Sequence, residues 1–263
     1  MNYATPCVGN DYFCRPMENI QASEWFAEWF DSPYYHVLYN HRDEEEATFF
    51  IDNLIDFLKP DSASVMLDLA CGRGRHAVHL HKKGFEVVAV DLAPSNIEFA
   101  KQSAAEGLQF MVHDMRNLLS SNTFDYVFNL FTSFGYFNHM HENLKTVKNM
   151  AAALKPNGRL ILDFMNVNTI KPTSSMVETK HYDGFTFNIQ RKIEGDQVVK
   201  QIEVVKEQDA HLYEERVKLL NKADFESFFA SSNLLVETIF GGYDLSEFDA
   251  ETSDRLIFIA RKA

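Results

Sequence analysis

The sequence predicts an α/β protein: a doubly wound, mostly parallel sheet with N-terminal helices and a small antiparallel β insertion after the fifth strand. Three observations carry that expectation. Short apolar runs alternate with helical segments from residue 64 to residue 164, the rhythm of a parallel sheet covered on both faces. A glycine-rich turn joins the first strand of that series to its first helix. From about residue 178 to 219 the pattern changes to long apolar–polar alternation, which suits antiparallel strands rather than another βαβ unit.

Residues 1–60 read as an irregular arm followed by helices that form part of a cap. Trp25, Phe26, Trp29 and Phe30 stand near helical spacing, and a second helix runs from Asp43 to about Leu58. Its acidic start, Asp43 to Glu46, suits the positive end of a helix dipole, and Pro60 ends it. Residues 61–263 form the main domain. Its strands are Ser64–Ala70, Glu86–Val90, Leu108–Val112, Asp125–Leu130 and Arg159–Phe164. Its helices are Arg75–Lys83, Pro94–Ala105 and Glu142–Leu154, with Pro94 at a first turn, where proline is tolerated. Phe185, Phe187, Ile189, Val198, Ile202 and Val204 carry the alternation of the insertion, and Gly195-Asp196 marks a turn. A helix at Lys222–Ala230 and strands at Leu235–Phe240 and Leu256–Ala260 complete the chain.

The net charge of −13 works against polyanions, so nucleic acid and anionic membranes are disfavoured as main partners. Three cysteines, Cys7, Cys14 and Cys71, are too few and odd in number for a disulfide framework, which fits a reducing cytoplasm. No metal site is expected, because Cys7 and Cys14 lack a second ligand pair. The first twenty residues show no signal core, and no apolar run reaches the roughly 18 residues of a membrane span.

The chemistry is concentrated in Val65-Met66-Leu67-Asp68-Leu69-Ala70-Cys71-Gly72-Arg73-Gly74-Arg75-His76. Gly72 and Gly74 let the backbone approach a ligand where a Cβ would intrude. The helix that follows aims unpaired N–H groups at the same place. Asp91 closes the second strand, where a carboxylate can accept both hydroxyls of a ribose, and ligands of open α/β sheets bind at such strand ends. An adenosine-bearing ligand is therefore expected. Gly72-x-Gly74-x-x-Ala77 also matches the dinucleotide fingerprint. Asp68, four residues before Gly72, would repel a pyrophosphate and favours a ligand bearing an ammonium or sulfonium group.

These residues, together with His113-Asp114-Met115-Arg116 and Phe124 to Leu130, resemble the class I S-adenosylmethionine-dependent methyltransferases over roughly residues 64 to 166. The resemblance implies a seven-stranded sheet whose last strand is antiparallel. It implies S-adenosyl-L-methionine as cofactor and S-adenosyl-L-homocysteine as product. Asp68, Ala70, Gly72 and Gly74 would surround the methionine part and Asp91 would hold the ribose, with Cys71, His76, Leu92 and Arg116 also among the cofactor-binding residues. Asp114 and Met115 would meet the adenine, with Asp114 near its exocyclic amine, and Asn129 and Leu130 would line the floor beside the methyl group. Two departures stand out: Ala70 where the family often has glycine, and Arg73 where it often has a small polar residue.

Asn129 to Phe137 resembles a subset acting on small molecules, in which an N-terminal Tyr and Arg contact the methionine carboxylate; Tyr39 and Arg42 are the candidates here. Tyr136, His139 and His141 are the candidates for a base, should the acceptor arrive protonated, and Tyr34, Tyr35, His36 and Phe131 for a pocket lid. The expected function is methyl transfer to a small-molecule acceptor. An NAD-dependent oxidoreductase and a non-catalytic S-adenosylmethionine-binding protein stay open beside it. The insertion caps the substrate or forms a homodimer interface, and the loop Gly241 to Asp244 leaves a further strand end that could face the substrate.

Overall fold

The computed structural model describes residues 25–39, 44–170 and 177–263. Arg42, Cys7 and Cys14 lie outside the described residues.

Seven strands form the main sheet: β1 (Val65–Leu69), β2 (Glu86–Asp91), β3 (Leu108–Val112), β4 (Phe124–Asn129), β5 (Leu154–Met165), β10 (Leu234–Phe240) and β11 (Arg255–Lys262). Their order is β10-β11-β5-β4-β1-β2-β3. β1 pairs parallel with both β2 and β4, while β11 is antiparallel to its neighbours β5 and β10. The strand order therefore reverses at β1, which opens a crevice at the carboxyl ends of β1 and β4.

Strand alternation sorts the core into two layers. Leu67, Leu69, Val127, Leu160 and Phe258 join α6 (Met140–Ala153) and α7 (Lys222–Ala230) on one face. Met66, Val87, Ala89, Phe128 and Ile257 join α3 (Glu44–Leu58), α4 (Arg75–Lys82) and α5 (Pro94–Ala100) on the other. Asp52 of α3 ties the helices of that layer together by accepting from His79 and Lys83, each at 2.7 Å.

The predicted insertion is a separate antiparallel meander of β6 (Val177–Tyr182), β7 (Phe185–Glu194), β8 (Gln197–Lys206) and β9 (Asp209–Lys218). It packs on α1 (Trp25–Phe30) and α2 (Pro33–Tyr39) through Trp29, Leu38, Phe187, Ile189 and Ile202. Helix α2 is an element that hydrophobic periodicity did not reveal. Its signal is local: Ser32 Oγ accepts the Tyr35 backbone N–H at 3.2 Å, and Pro33 holds the first helical position.

The helix expected over Pro94–Ala105 ends at Ala100, giving way to a single 3₁₀ turn at Lys101–Ser103 and an extended Ala104. The chain must turn there to bring Leu108 beside Val87. Helix α6 begins two residues before the expected Glu142, with extended His139 at its N-cap.

Candidate active site

The turn between β1 and α4 is left-handed at three residues: Ala70 (φ +64), Gly72 (φ +55) and Gly74 (φ +86). Ala70 therefore occupies a conformation that suits glycine, at a cost of order 1–2 kcal/mol. The two glycines serve different ends. A Cβ on Gly72 would meet no atom within 4 Å, whereas a Cβ on Gly74 would lie 2.6 Å from Phe110 Cε1. Gly72 leaves space, and Gly74 permits close packing of the turn on β3.

The turn is fastened from β2. The Gly72 N–H donates to Asp91 Oδ2 at 2.8 Å, and Asp91 Oδ1 accepts from the Ala93 N–H at 2.9 Å and from Asn96 Nδ2 at 3.1 Å. Burial pushes the Asp91 carboxyl above its ordinary pKa despite these three donors.

Asp68 is 1% exposed. The Ala77 N–H in the first turn of α4 donates to its carboxylate, but Oδ2 is buried without a partner. Burial first, and the charge of Asp91 second, push its pKa to about 7.

These groups open on a cavity of about 930 Å³. It runs along the carboxyl ends of β1 to β4 and is lined there by Asp68, Ala70, Cys71, Gly72, Asp91, Leu92, His113, Asp114, Met115, Leu130 and Phe131. Phe26, Phe30, Tyr35, His36, Tyr39, Tyr136 and Phe137 close it from the side of α1, α2 and the loop before α6. Four of its lining residues carry a buried polar atom with no protein partner: Asp68 Oδ2, His76 Nε2, His36 Nε2 and Asn96 Oδ1. Such atoms suit a polar ligand, since each is costly to leave unpaired. Burial, then the Arg73 guanidinium, lowers the His36 pKa to about 4, and burial holds His76 well below its ordinary value. Both imidazoles are neutral at neutral pH. The interior of the cavity thus combines carboxylates with uncharged rings.

Comparison with known proteins fits this geometry. The family profile described as "Methyltransferase domain" matches residues 66–158. The YqeM protein of Bacillus subtilis is 36% identical over 101 residues, covering 37% of this chain and 41% of its own. The glycine/sarcosine N-methyltransferase of Parasynechococcus marenigrum is 32% identical over 144 residues, 53% of this chain and 50% of its own. The chain thus spans about half or less of these relatives' length. Among solved structures, an S-adenosylmethionine-dependent methyltransferase of Clostridium acetobutylicum superposes with a TM-score of 0.74 at 19% identity. That superposition covers 87% of this chain and 95% of the other, a likeness of fold.

Residues 66–158 thus match the methyltransferase domain, and the chain as a whole shares its fold with S-adenosylmethionine-dependent methyltransferases.

Most of the residues that sequence reasoning marked line the cavity, and among the described ones Gly74, Arg116, Asn129, His139, His141 and Tyr34 do not. Gly74 faces Phe110, as above. Asn129 is fully buried and links strands, its Nδ2 donating to the carbonyls of Leu69 at 3.0 Å and Ser133 at 3.3 Å. Arg116 stands behind Asp114, donating to its carboxylate from Nε at 2.9 Å and Nη2 at 2.6 Å. His139 is exposed and stacks on His141 with ring centroids 5.4 Å apart, away from the cavity.

Tyr39 lines the cavity, but its hydroxyl is engaged by the insertion. It donates to Glu215 Oε1 at 2.6 Å and is contacted by the Lys200 ammonium. Trp29 Nε1 donates to the same Glu215 oxygen at 2.8 Å. Tyr136 also lines the cavity, and its hydroxyl donates to the Thr132 carbonyl at 2.6 Å.

Of the lid candidates, Tyr35, His36 and Phe131 reach the cavity, while Tyr34 packs on Phe185 and His211 of the insertion. Arg73 lies with its guanidinium 4.4 Å over the Phe99 ring at the cavity edge. Asn96 and Arg75 were not marked from sequence. A buried Asn three residues into a helix led by proline was the available signal for the first.

Proposed function

We propose that this domain transfers a methyl group from S-adenosylmethionine to a small-molecule acceptor bound between the main sheet and the aromatic wall of α1 and α2. The observation that carries the reading is the pairing of Asp68, whose buried Oδ2 lacks a partner, with the open space over Gly72. A carboxylate in that place accepts an ammonium group and repels a pyrophosphate. Asp91 offers its remaining acceptor capacity to the ribose hydroxyls. Asp114, fixed by the Arg116 fork, accepts from the adenine amine, with Met115 and Leu130 as apolar flanks. Bound there, the cofactor supplies a methyl group already activated on a sulfonium sulfur.

The protein's part is then alignment and the exclusion of water, effects worth roughly 7–11 kcal/mol when two reactants are held in register. Phe26, Phe30 and Phe137 exclude water on the acceptor side, and the neutral His36 and His76 add no repulsion toward a sulfonium. The insertion acts as the cap: Glu215 of β9 holds both Trp29 and Tyr39. Tyr136 remains the candidate to orient the acceptor, and His139 does not, because it lies outside the cavity. Small acceptors are favoured by the negative charge of the chain and by the relatives that match it, one named for glycine and sarcosine and another for ubiquinone biosynthesis. A buried free thiol at Cys71 suits a reducing compartment. No helix among the described residues is long and apolar enough to cross a membrane.

Calorimetric titration with S-adenosylhomocysteine and, in parallel, NAD tests the reading. Micromolar binding of the first alone supports it. Binding of NAD alone overturns it. Light scattering of the purified chain separates a capping insertion from a homodimer interface.

A further inference from the structure

Phe131 and Thr132, the two residues following Leu130, are both left-handed, at φ +58 and φ +60. Neither is glycine, and a bulky or β-branched residue rarely adopts this conformation. Two in succession need an external restraint, and strain of this kind gathers at functional sites.

The restraint is a buried ion pair between two strands that neighbour each other in the sheet but lie far apart in sequence. Asp163 of β5 is completely buried, and its Oδ2 accepts the Phe131 N–H at 2.7 Å while its backbone carbonyl accepts the Thr132 N–H at 3.1 Å. Arg255, at the start of β11, donates to Asp163 Oδ1 from Nε at 2.8 Å and from Nη2 to Thr132 Oγ1 at 2.9 Å. Neither Asp163 nor Arg255 lines the cavity. What they hold does. The Phe131 ring lies 4.3 Å from the Arg75 guanidinium and 4.9 Å from the His76 ring, forming the wall beside the start of α4. On its outer side it stacks on Tyr243 at 5.0 Å.

We propose that Asp163 and Arg255 are positioning residues that lock the Phe131-Thr132 bend and so fix the cavity wall at the methionine end of the cofactor site. This rests on the functional reading above. A buried pair gives little net stability compared with apolar packing, so its consequence falls on the conformation of the bend. Because the wall stands by Arg75 and His76, far along the cavity from Asp114, the two ends of the cofactor respond differently to its loss.

The test is Arg255→Lys, which keeps a cation against Asp163 but cannot bridge Asp163 and Thr132 with a fork. Thr132→Val, which removes only the hydroxyl that Arg255 grips, is the milder companion should the first variant fail to fold. Amide hydrogen exchange at Phe131 and Thr132 is read without ligand, and affinities for S-adenosylhomocysteine and adenosine are read by calorimetry. The expected result is exchange at those two amides faster by about tenfold or more, with the strands unchanged. S-adenosylhomocysteine binding should weaken about fivefold or more while adenosine binding holds. Unchanged exchange, or equal losses for both ligands, would overturn the proposal. If the unmodified protein bound neither ligand, the cofactor reading would fail, and exchange at Phe131 would still decide whether the pair locks the bend.

Discussion

The Gly72 N–H donates to Asp91 Oδ2 at 2.8 Å, so the carboxylate at the end of β2 holds the turn that follows β1. The same carboxylate also caps the segment leading into α5 through Ala93 and Asn96. Asp91 is thus both a structural acceptor and a candidate ribose ligand, and the two roles share one group.

Asp91→Ala should for this reason act twice. Cofactor affinity is expected to fall by about 1.5–3 kcal/mol, the usual worth of hydrogen bonds to a charged group. The melting temperature should fall as well, because the buried N–H of Ala93 loses its acceptor. Asp91→Asn keeps an oxygen and should recover most of the stability but little of the affinity. Calorimetry with S-adenosylhomocysteine and thermal melting check this; unchanged affinity in the folded alanine variant would reject the ribose assignment.

Gly72→Ala and Gly74→Ala should separate binding from stability. At Gly74 the new Cβ would strike Phe110 at 2.6 Å on a backbone already at φ +86, and overpacking of this kind costs about 1–3 kcal/mol. At Gly72 the new methyl meets no protein atom and projects into open space. Its stability cost is limited to the left-handed conformation, about 1–2 kcal/mol, whereas S-adenosylhomocysteine binding should fall further than in the folded Gly74 variant. The same losses in both variants would mean that the cavity at Gly72 is not the ligand site.

Arg116→Gln removes the fork that fixes Asp114. The guanidinium beside Asp114 holds its carboxyl below the ordinary range, and both side chains are about one-fifth exposed, at 23% and 22%. Solvent screening limits the stability loss to about 1 kcal/mol. Affinity for adenosine should fall with that for S-adenosylhomocysteine, since both carry adenine. A loss confined to S-adenosylhomocysteine would move Asp114 away from the base.

The readable part of the site was the part encoded locally. Asp68, Gly72 and Asp91 fall on one strand–turn–helix–strand unit, and strand period plus glycine placement put them at one crevice before any coordinates. The paired layers of the sheet were legible for the same reason. What escaped depends on contacts between distant segments. Asp163 and Arg255 are 92 residues apart, and nothing in either neighbourhood distinguishes a buried charge from a solvated one. Gly74 looked like a second ligand-facing glycine because its packing partner, Phe110, belongs to another strand. Tyr39 lines the cavity, and its hydroxyl partners, Glu215 and Lys200, come from the insertion and follow from tertiary packing alone.

Asp68 should give ligand binding a pH signature. With its folded-state pKa raised to about 7 by burial and by Asp91, the native protein holds this proton more tightly than the unfolded chain, whose value is near 3.9. Its contribution to stability is therefore most favourable at acid pH, is lost as pH rises from about 4 to about 7, and is constant above that. An ammonium group placed against Oδ2 favours the ionised carboxylate, so binding near pH 6 should expel a proton that the free protein carries. Calorimetry with S-adenosylhomocysteine in two buffers of different protonation heat measures that release directly. Asp68→Asn should abolish the part due to this residue, weaken the ligand, and flatten stability between about pH 4 and pH 7. Proton release that persists undiminished in a folded Asp68→Asn protein would show that another group, Asp91 foremost, carries the titration, and would remove Asp68 as the partner of the ammonium.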